Sequence, residues 1–364
     1  MIATVQSVIK KISKVTLKKS PVKLARYVLV LMLSKERKNF ASMARENNFS
    51  YKQVYIANNK VIDYTEEYRK FLIEIIKQYS TQENPGYLLI DFTVLLKQFS
   101  KNIPGVTYDY DSSKKDVSKG FSAGFVAWAN SKIVIPFDYA LWMRKKDIKD
   151  TNDIYKTKTE IAKALILAAK RCGIPFNEIR VDGAFATLEM FDFVKEHNLG
   201  ITARMPSNRV IITAKGNNQL AKLEELQMKK NEKYKTVEGS YKGHDLYFTA
   251  QKRNASHDKK EVVFIVSNIV RTPKEHVDAY DNRWPVEKYF RTGKQHIGLA
   301  HCQSTNSDKQ KFHIFSIMVA YAILQCIKYD KRKQSVEAVM HDIRRKKCLD
   351  YLDEYIDLEQ TIMS

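Results

Sequence analysis

Tyr280–Lys294 reads Y-D-N-R-W-P-V-E-K-Y-F-R-T-G-K. Pro285 can occupy the first turn of a helix, where its missing N–H costs nothing. A helix continuing to about Ile297 puts Glu287, Arg291 and Lys294 at i, i+4 and i+7, on one face. Val286, Tyr289, Phe290 and Ile297 then pack inward from the other side, and Arg283 and Tyr280 come just before the helix. A carboxylate followed by two cations suits the holding of a metal and of the phosphate it activates. Glu–Arg pairs at this spacing also occur on ordinary solvated helix faces, where each stabilises by only about 0.3–0.5 kcal/mol.

Composition narrows the choice. The chain has 364 residues, enough for a sizeable core and for two or three structural units. With 44% hydrophobic and 11% aromatic residues it is a globular sequence and not a disordered one. Lys plus Arg number 62 against 41 for Asp plus Glu, a net charge of +21. An excess of that size opposes folding unless a polyanion is the partner, which points to nucleic acid. A membrane is the rival, but no apolar run is expected to reach the roughly 18–20 residues of a spanning helix. The Tyr27–Leu33 run is too short and reads as a buried helix segment. Met1–Lys19 is basic but lacks the apolar core and cleavage site of a secretory leader. Cys172, Cys302, Cys326 and Cys348 are far apart, with no C-x-x-C pair. They read as reduced, buried side chains of a cytosolic protein, not as a zinc site.

Taken in order, residues 1–84 read as a helical N-terminal domain. Within it, residues about 40–59 have the outline of a helix-turn-helix, with Asn47-Asn48-Phe49 as the turn and Ser50 as cap. Its second helix would carry Lys52 and Gln53 toward DNA; an ordinary helical hairpin fits the same residues. Pro85-Gly86 marks the boundary to the next domain, residues 85–328. There Tyr87–Ile90 reads as a buried strand ending at Asp91, and Gly120–Ala129 with Ile133–Trp142 as a hairpin. Lys156–Arg171 reads as a helix with Ile161, Leu165, Ile166 and Ala169 on one face, stopped by Cys172-Gly173. Glu178–Val181 is a short strand ending at Asp182, followed by a helix at about 187–196. Strand-rich segments separated by Gly and Asn turns then suggest a β-rich insertion at about 205–260. Glu261–Ser267 rejoins the core, and Pro273–Tyr280 is a helix leading into the opening stretch. Lys309–Cys326 is apolar on most faces and reads as a buried helix, and residues 329–364 as a basic helical segment.

This order predicts an α/β protein with an RNase H-like core, a mixed sheet flanked by helices. Such a fold brings a carboxylate from a central strand, one from the end of a parallel neighbour and one from a late helix together: here Asp91, Asp182 and Glu287. Asp109 and Asp111, in a loop-like stretch, and Asp138, in the hairpin, compete with Asp91. Three converging carboxylates can hold two divalent cations about 3.5–4 Å apart. Magnesium suits the all-oxygen donors, with manganese able to substitute. His296, His301 and His313 read as structural or phosphate-contacting groups, not as a metal cluster.

The spacing of Tyr280, Arg283, Glu287 and Lys294 resembles the Y-(2)-R-(3)-E-(6)-K signature of a group of bacterial insertion-sequence transposases of the DDE type. Gln295, Gly298, Leu299, Cys302-Gln303 and His313 resemble its continuation. The resemblance implies an enzyme that binds the terminal inverted repeats of its element, cuts at the ends and joins the 3′-hydroxyls to target DNA. It implies phosphate contacts from Tyr280, Arg283, Arg291 and Lys294, a homodimer on paired DNA ends, and a place in the bacterial cytoplasm with the nucleoid. A nuclease without strand transfer and an inactive transposase-derived regulator share the same residues. Two departures stand out. Ile90-Asp91-Phe92-Thr93 lacks the D-D-T frequent in the family, and no Trp lies between Asp182 and Glu287. In relatives that make a hairpin on flanking DNA a Trp there holds a flipped base; Tyr247, Phe248 or Phe264 would have to substitute.

Overall fold

The computed structural model describes residues 27–28, 30–35, 40–46, 65–101, 103–148, 154–229, 231–254 and 260–345. Most of the expected helix-turn-helix, Lys52 and Gln53 included, lies outside them; of that stretch they contain the helix α1 (Phe40–Glu46).

Strand β1 (Tyr87–Leu96) organises the sheet. Tyr87 to Ile90 are an unbroken apolar run and all are buried, as a strand covered on both faces requires. β1 pairs antiparallel with β3 (Asp116–Ala129) from Tyr87 opposite Ala129 to Leu96 opposite Gly120. It runs parallel to β5 (Glu178–Val181) only as far as Ile90 opposite Val181. The strand expected to end at Asp91 therefore continues to Leu96, because its long antiparallel partner carries it on. Asp91 sits where the parallel pairing has just stopped.

The other strands are β2 (Thr107–Asp111), β4 (Val134–Trp142), β6 (Gly200–Met205), β7 (Val210–Thr213), β8 (Gly216–Gln219), β9 (Tyr234–Tyr241), β10 (His244–Asn254) and β11 (Lys260–Ser267). The sheet order is β2-β3-β1-β5-β6-β11-β10-β9-β7-β8, with β4 on β3. β5 and β6 are parallel, and β11 closes antiparallel on β6. This is the mixed sheet of an RNase H-like core. The β-rich stretch at about 205–260 continues it, because β10 pairs with β11 along eight residue pairs, Tyr247–Ser267 to Asn254–Lys260.

Helices close the faces. α2 (Thr65–Tyr79) comes before the sheet. α3 (Lys158–Arg171) starts at a capping box of Thr157 and Glu160, and its expected inward face, Ile161, Leu165, Ile166 and Ala169, is buried. α4 (Leu188–Glu196) is capped by Thr187. α5 (Pro273–Asp281) begins at a second capping box, Thr272 with Glu275. After it come α6 (Trp284–Thr292), α7 (Ser307–Asp330) and α8 (Val336–Arg345). By length and composition α7 is apolar enough to cross a membrane, contrary to the expectation from sequence, but 89% of its apolar window is buried within the fold. It is the core helix under β4, α2 and α8.

The described N-terminal residues join this core. Tyr27, Val28, Val30, Leu31 and Met32 belong to the same buried cluster as β1 and α7. The Tyr68 hydroxyl of α2 lies 2.6 Å from Ser316 Oγ of α7, and Arg69 forks onto Asp138 of β4 at 3.0 and 2.9 Å. Pro85-Gly86 is a tight link between α2 and β1. Gly86 has φ +87°, and a Cβ there would stand 2.4 Å from the Trp128 indole nitrogen. That indole donates to the Pro85 and Pro175 carbonyls, so only glycine fits the turn.

Candidate active site

Asp91 points from the middle of β1 with its Oδ1 accepting from the Phe92 N–H at 2.8 Å. Asp182 follows β5 directly and opens the short 3-10 turn Gly183–Phe185. The two aspartates are the residues that come just after the last parallel couple, Ile90 and Val181, so strand register brings them side by side. Glu287 arrives from the first turn of α6, which packs on β1.

Arg283 joins them. It caps α6, is 9% exposed, and spans two of the carboxylates. Its Nη1 stands 3.2 Å from Asp91 Oδ2, and its Nη2 donates to Glu287 Oε1. The Tyr280 ring lies 5.6 Å from the guanidinium carbon and is itself buried. Burial pushes the Asp91 carboxyl up to about 6; Arg283 and the Phe92 N–H pull it down, and the charges of Asp182 and Glu287 push it up further. Burial works against the Arg283 charge, but Asp91, Tyr280, Glu287 and Asp182 outweigh it and raise the group above free arginine. Three carboxylates thus crowd one guanidinium.

Lys294 is close but differently held. The helix expected to run to Ile297 ends at Thr292, and Gly293–Ile297 widens into a π turn closed by Gly298 at φ 91°. Outside partners take its carbonyls: His313 Nε2 meets Gly298 O at 2.8 Å, and Arg344 donates to His296 O at 3.0 Å. Such π turns are frequent at functional sites. Lys294 is half-buried in the turn; burial lowers its pKa, while Asp111 and Asp91 act to raise it. It lines a groove of about 700 Å³ with Lys97, Lys101, Asp111 and His301, beside the fully exposed Phe99. Arg291, expected on the same face, is exposed and makes no hydrogen bond or ion pair with the cluster; its charge acts on Tyr321 of α7.

The competing aspartates have partners of their own, and Asp111 also acts on Lys294 across the groove. Asp109 and Asp111 lie in β2 and not in a loop. Asp109 pairs with Lys158 at 2.6 Å, Asp111 caps Ser113, and Asp138 is held by Arg69. His313 is buried between the Tyr27 hydroxyl and Gly298 O, with its pKa pushed by burial to about 3, so it stays neutral. Of the aromatics proposed to replace the missing Trp, Phe248 and Phe264 are buried, and Tyr247 packs on His276. Sequence reasoning missed Arg344 and Lys97, whose Nζ reaches the Ala300 carbonyl at 3.0 Å and ties β1 to the loop after the π turn. Lys97 stands alone, and Arg344 opens the basic run Arg344-Arg345-Lys346-Lys347, which reads as a solvated helix surface.

Residues 15–221 match the family of DDE superfamily endonucleases. The chain belongs to that superfamily. No curated protein matches it. The matched segment holds Asp91 and Asp182 and ends before Glu287. Enzymes of this superfamily typically use divalent metals, and the oxygen-only donors Asp91, Asp182 and Glu287 fit such ions in kind. Among the described residues no three acidic, His or Cys side chains stand close enough to share one ion; the Arg283 guanidinium lies between Asp91 and Glu287.

Proposed function

We propose that this DDE superfamily endonuclease is an insertion-sequence transposase carrying the Y-(2)-R-(3)-E-(6)-K signature. One observation carries the reading. Arg283, which lies beyond the matched segment, pairs with Asp91 inside it and with Glu287 four residues further on. A constellation drawn from 196 positions of chain, Asp91 to Glu287, with Arg283 buried inside it, is not the solvated helix face that the spacing alone would allow.

In this reading Asp91, Asp182 and Glu287 would hold two divalent cations, Mg²⁺ or Mn²⁺, once the Arg283 guanidinium no longer lies between Asp91 and Glu287, and the cations would supply activation of a water or 3′-hydroxyl and stabilisation of the leaving oxygen. Tyr280 positions Arg283, and Arg283 and Lys294 receive phosphates near the cut. The net charge of +21 supplies salt-dependent affinity for duplex DNA. Sequence reading falls to the N-terminal segment with Lys52 and Gln53, and two copies act on paired ends in the bacterial cytoplasm.

The test uses terminal inverted repeats found in the DNA flanking the gene. A labelled duplex carrying one repeat is incubated with the protein in Mg²⁺, Mn²⁺ or EDTA, beside Glu287→Gln. The expected result is metal-dependent cutting at the repeat boundary and strand transfer, both abolished in the variant while binding persists. Cutting without transfer would make the protein a nuclease; specific binding without cutting in any metal would make it a regulator.

A further inference from the structure

Arg283 forms its two ion pairs with carboxylates that the proposed function gives to cations. Nη1 faces Asp91 Oδ2 at 3.2 Å and Nη2 donates to Glu287 Oε1. A cation bound through those oxygens would meet a like charge at contact distance, so guanidinium and cation compete for the same atoms. The pose also leaves a donor unused: Arg283 Nε is buried and has no acceptor among the described residues. A guanidinium is a planar fork of five donors that matches a phosphate bidentately. A phosphate would satisfy what the carboxylate pose leaves unpaired.

We propose that Arg283 is an exchangeable internal counter-ion that couples cation loading to DNA binding. With no DNA present it neutralises Asp91 and Glu287 and keeps divalent cations weakly bound. When a DNA phosphate reaches the site, the guanidinium turns onto it and releases both carboxylates. Cations then bind where a strand is already in place, and hydrolytic chemistry is withheld until that moment. Linkage makes the coupling reciprocal: DNA tightens the cation by the factor by which the cation tightens DNA. Asp182, which has no ion pair to Arg283, is the carboxylate from which loading would begin. Arg283 acts here as a positioning residue for Asp91 and Glu287, and the inference rests on the cation-binding role given to them above.

Mn²⁺ binding to the full chain, followed by electron paramagnetic resonance, reads this directly without turnover. The wild type should bind Mn²⁺ weakly alone and at least tenfold more tightly with an inverted-repeat duplex whose scissile linkage is blocked. Arg283→Gln should bind Mn²⁺ at least tenfold more tightly than wild type without DNA, and gain little from adding it. Arg283→Lys, which keeps a charge but not the fork, should fall between. A thermal melt checks folding in the same samples: Mn²⁺ alone should raise the unfolding temperature of Arg283→Gln and not that of wild type. If Arg283→Gln binds Mn²⁺ no better than wild type while Glu287→Gln weakens binding, the counter-ion role is overturned and the metal role of the carboxylates survives. If Glu287→Gln and Asp182→Asn leave Mn²⁺ binding unchanged with DNA present, the reading of the site falls, and this inference with it.

Discussion

Strand β5 has a charged cluster at each end, and the two are opposites. At its start, Glu178 is 3% exposed and meets two arginines: Arg180 at 2.8 Å and Arg271 at 2.9 Å. Thr202 donates to its other oxygen at 2.6 Å, and the Arg180 guanidinium carbon lies over the Tyr87 ring, 3.4 Å from its centroid. Burial alone would raise the Glu178 pKa, but the arginines bring it below the usual value. Just past the other end, Asp182 joins Asp91 and Glu287 around the single Arg283, and Asp91 is pushed up to about 6. One cluster has an acid outnumbered by bases, with Arg180 Nη1 buried and unpartnered among the described residues. The other has bases outnumbered by acids and is open to more positive charge. A buried ion pair is therefore no sign of function by itself; the surplus and its sign are.

The largest effect expected from this contrast is catalytic. Asp182→Asn should lower end cleavage by at least about 10³-fold, roughly 4 kcal/mol of barrier, since it removes a cation ligand. Because Asp182 forms no ion pair among the described residues, urea unfolding should change little. The mirror experiment is Glu178→Gln, which leaves two arginines without their carboxylate and should cost about 3–5 kcal/mol of stability. Cleavage per folded molecule should stay near wild type. If Glu178→Gln cut poorly at full stability, or Asp182→Asn unfolded easily while cutting well, the division between the two ends of β5 would collapse.

Much of this site was legible because it obeys local rules. Tyr87–Ile90 is an apolar run and Glu178–Val181 a short strand, each followed directly by an acid, and the structure places them as neighbouring parallel strands. Helix α3 announced itself by its inward face, Ile161, Leu165, Ile166 and Ala169, and the capping boxes of Thr157 with Glu160 and Thr272 with Glu275 fix where α3 and α5 begin. What was not legible depends on distant partners. The extension of β1 beyond Asp91 is imposed by β3, whose first part, Asp116 to Gly120, also pairs with β2. The π turn that moves Lys294 off the helical track is held by His313 and Arg344. Spacing along one helix could not reveal that Arg283, and not Arg291, is the cation among the carboxylates.

His313 tests the same rule from the uncharged side, with a smaller effect. Among the described residues no carboxylate acts on it; its neighbours are the Tyr27 hydroxyl, Gly298 O and the charges of Lys97 and His301. Its folded pKa of about 3 lies below the ordinary 6.5, so the unfolded chain binds the extra proton first. Stability from this group is complete above about pH 6.5 and declines as pH falls toward 3. At pH 5.5 the loss should be about 1.4 kcal/mol relative to pH 7.5. Urea unfolding of wild type and His313→Gln at both pH values measures it. The variant should be less stable at pH 7.5 but lose less on acidification. Equal losses would mean that another group governs the acid response.

The smallest effects separate the two cations that the sequence put on one face. Lys294 is half-buried on the groove wall and within electrostatic reach of Asp91, whereas Arg291 is exposed and acts on Tyr321. A lysine that contacts a phosphate releases counterions on binding, so losing it should weaken DNA binding uniformly and lower the salt slope by about 0.9. Lys294→Ala should show that change, with binding weakened about tenfold at low salt. Arg291→Ala should shift affinity less than about threefold and leave the slope unaltered, since the residue lies away from the carboxylates. Fluorescence anisotropy of a labelled duplex across a salt series resolves both numbers. Equal slopes for the two variants would return Arg291 to the phosphate path, and the π turn would then carry no consequence for how this helix meets DNA.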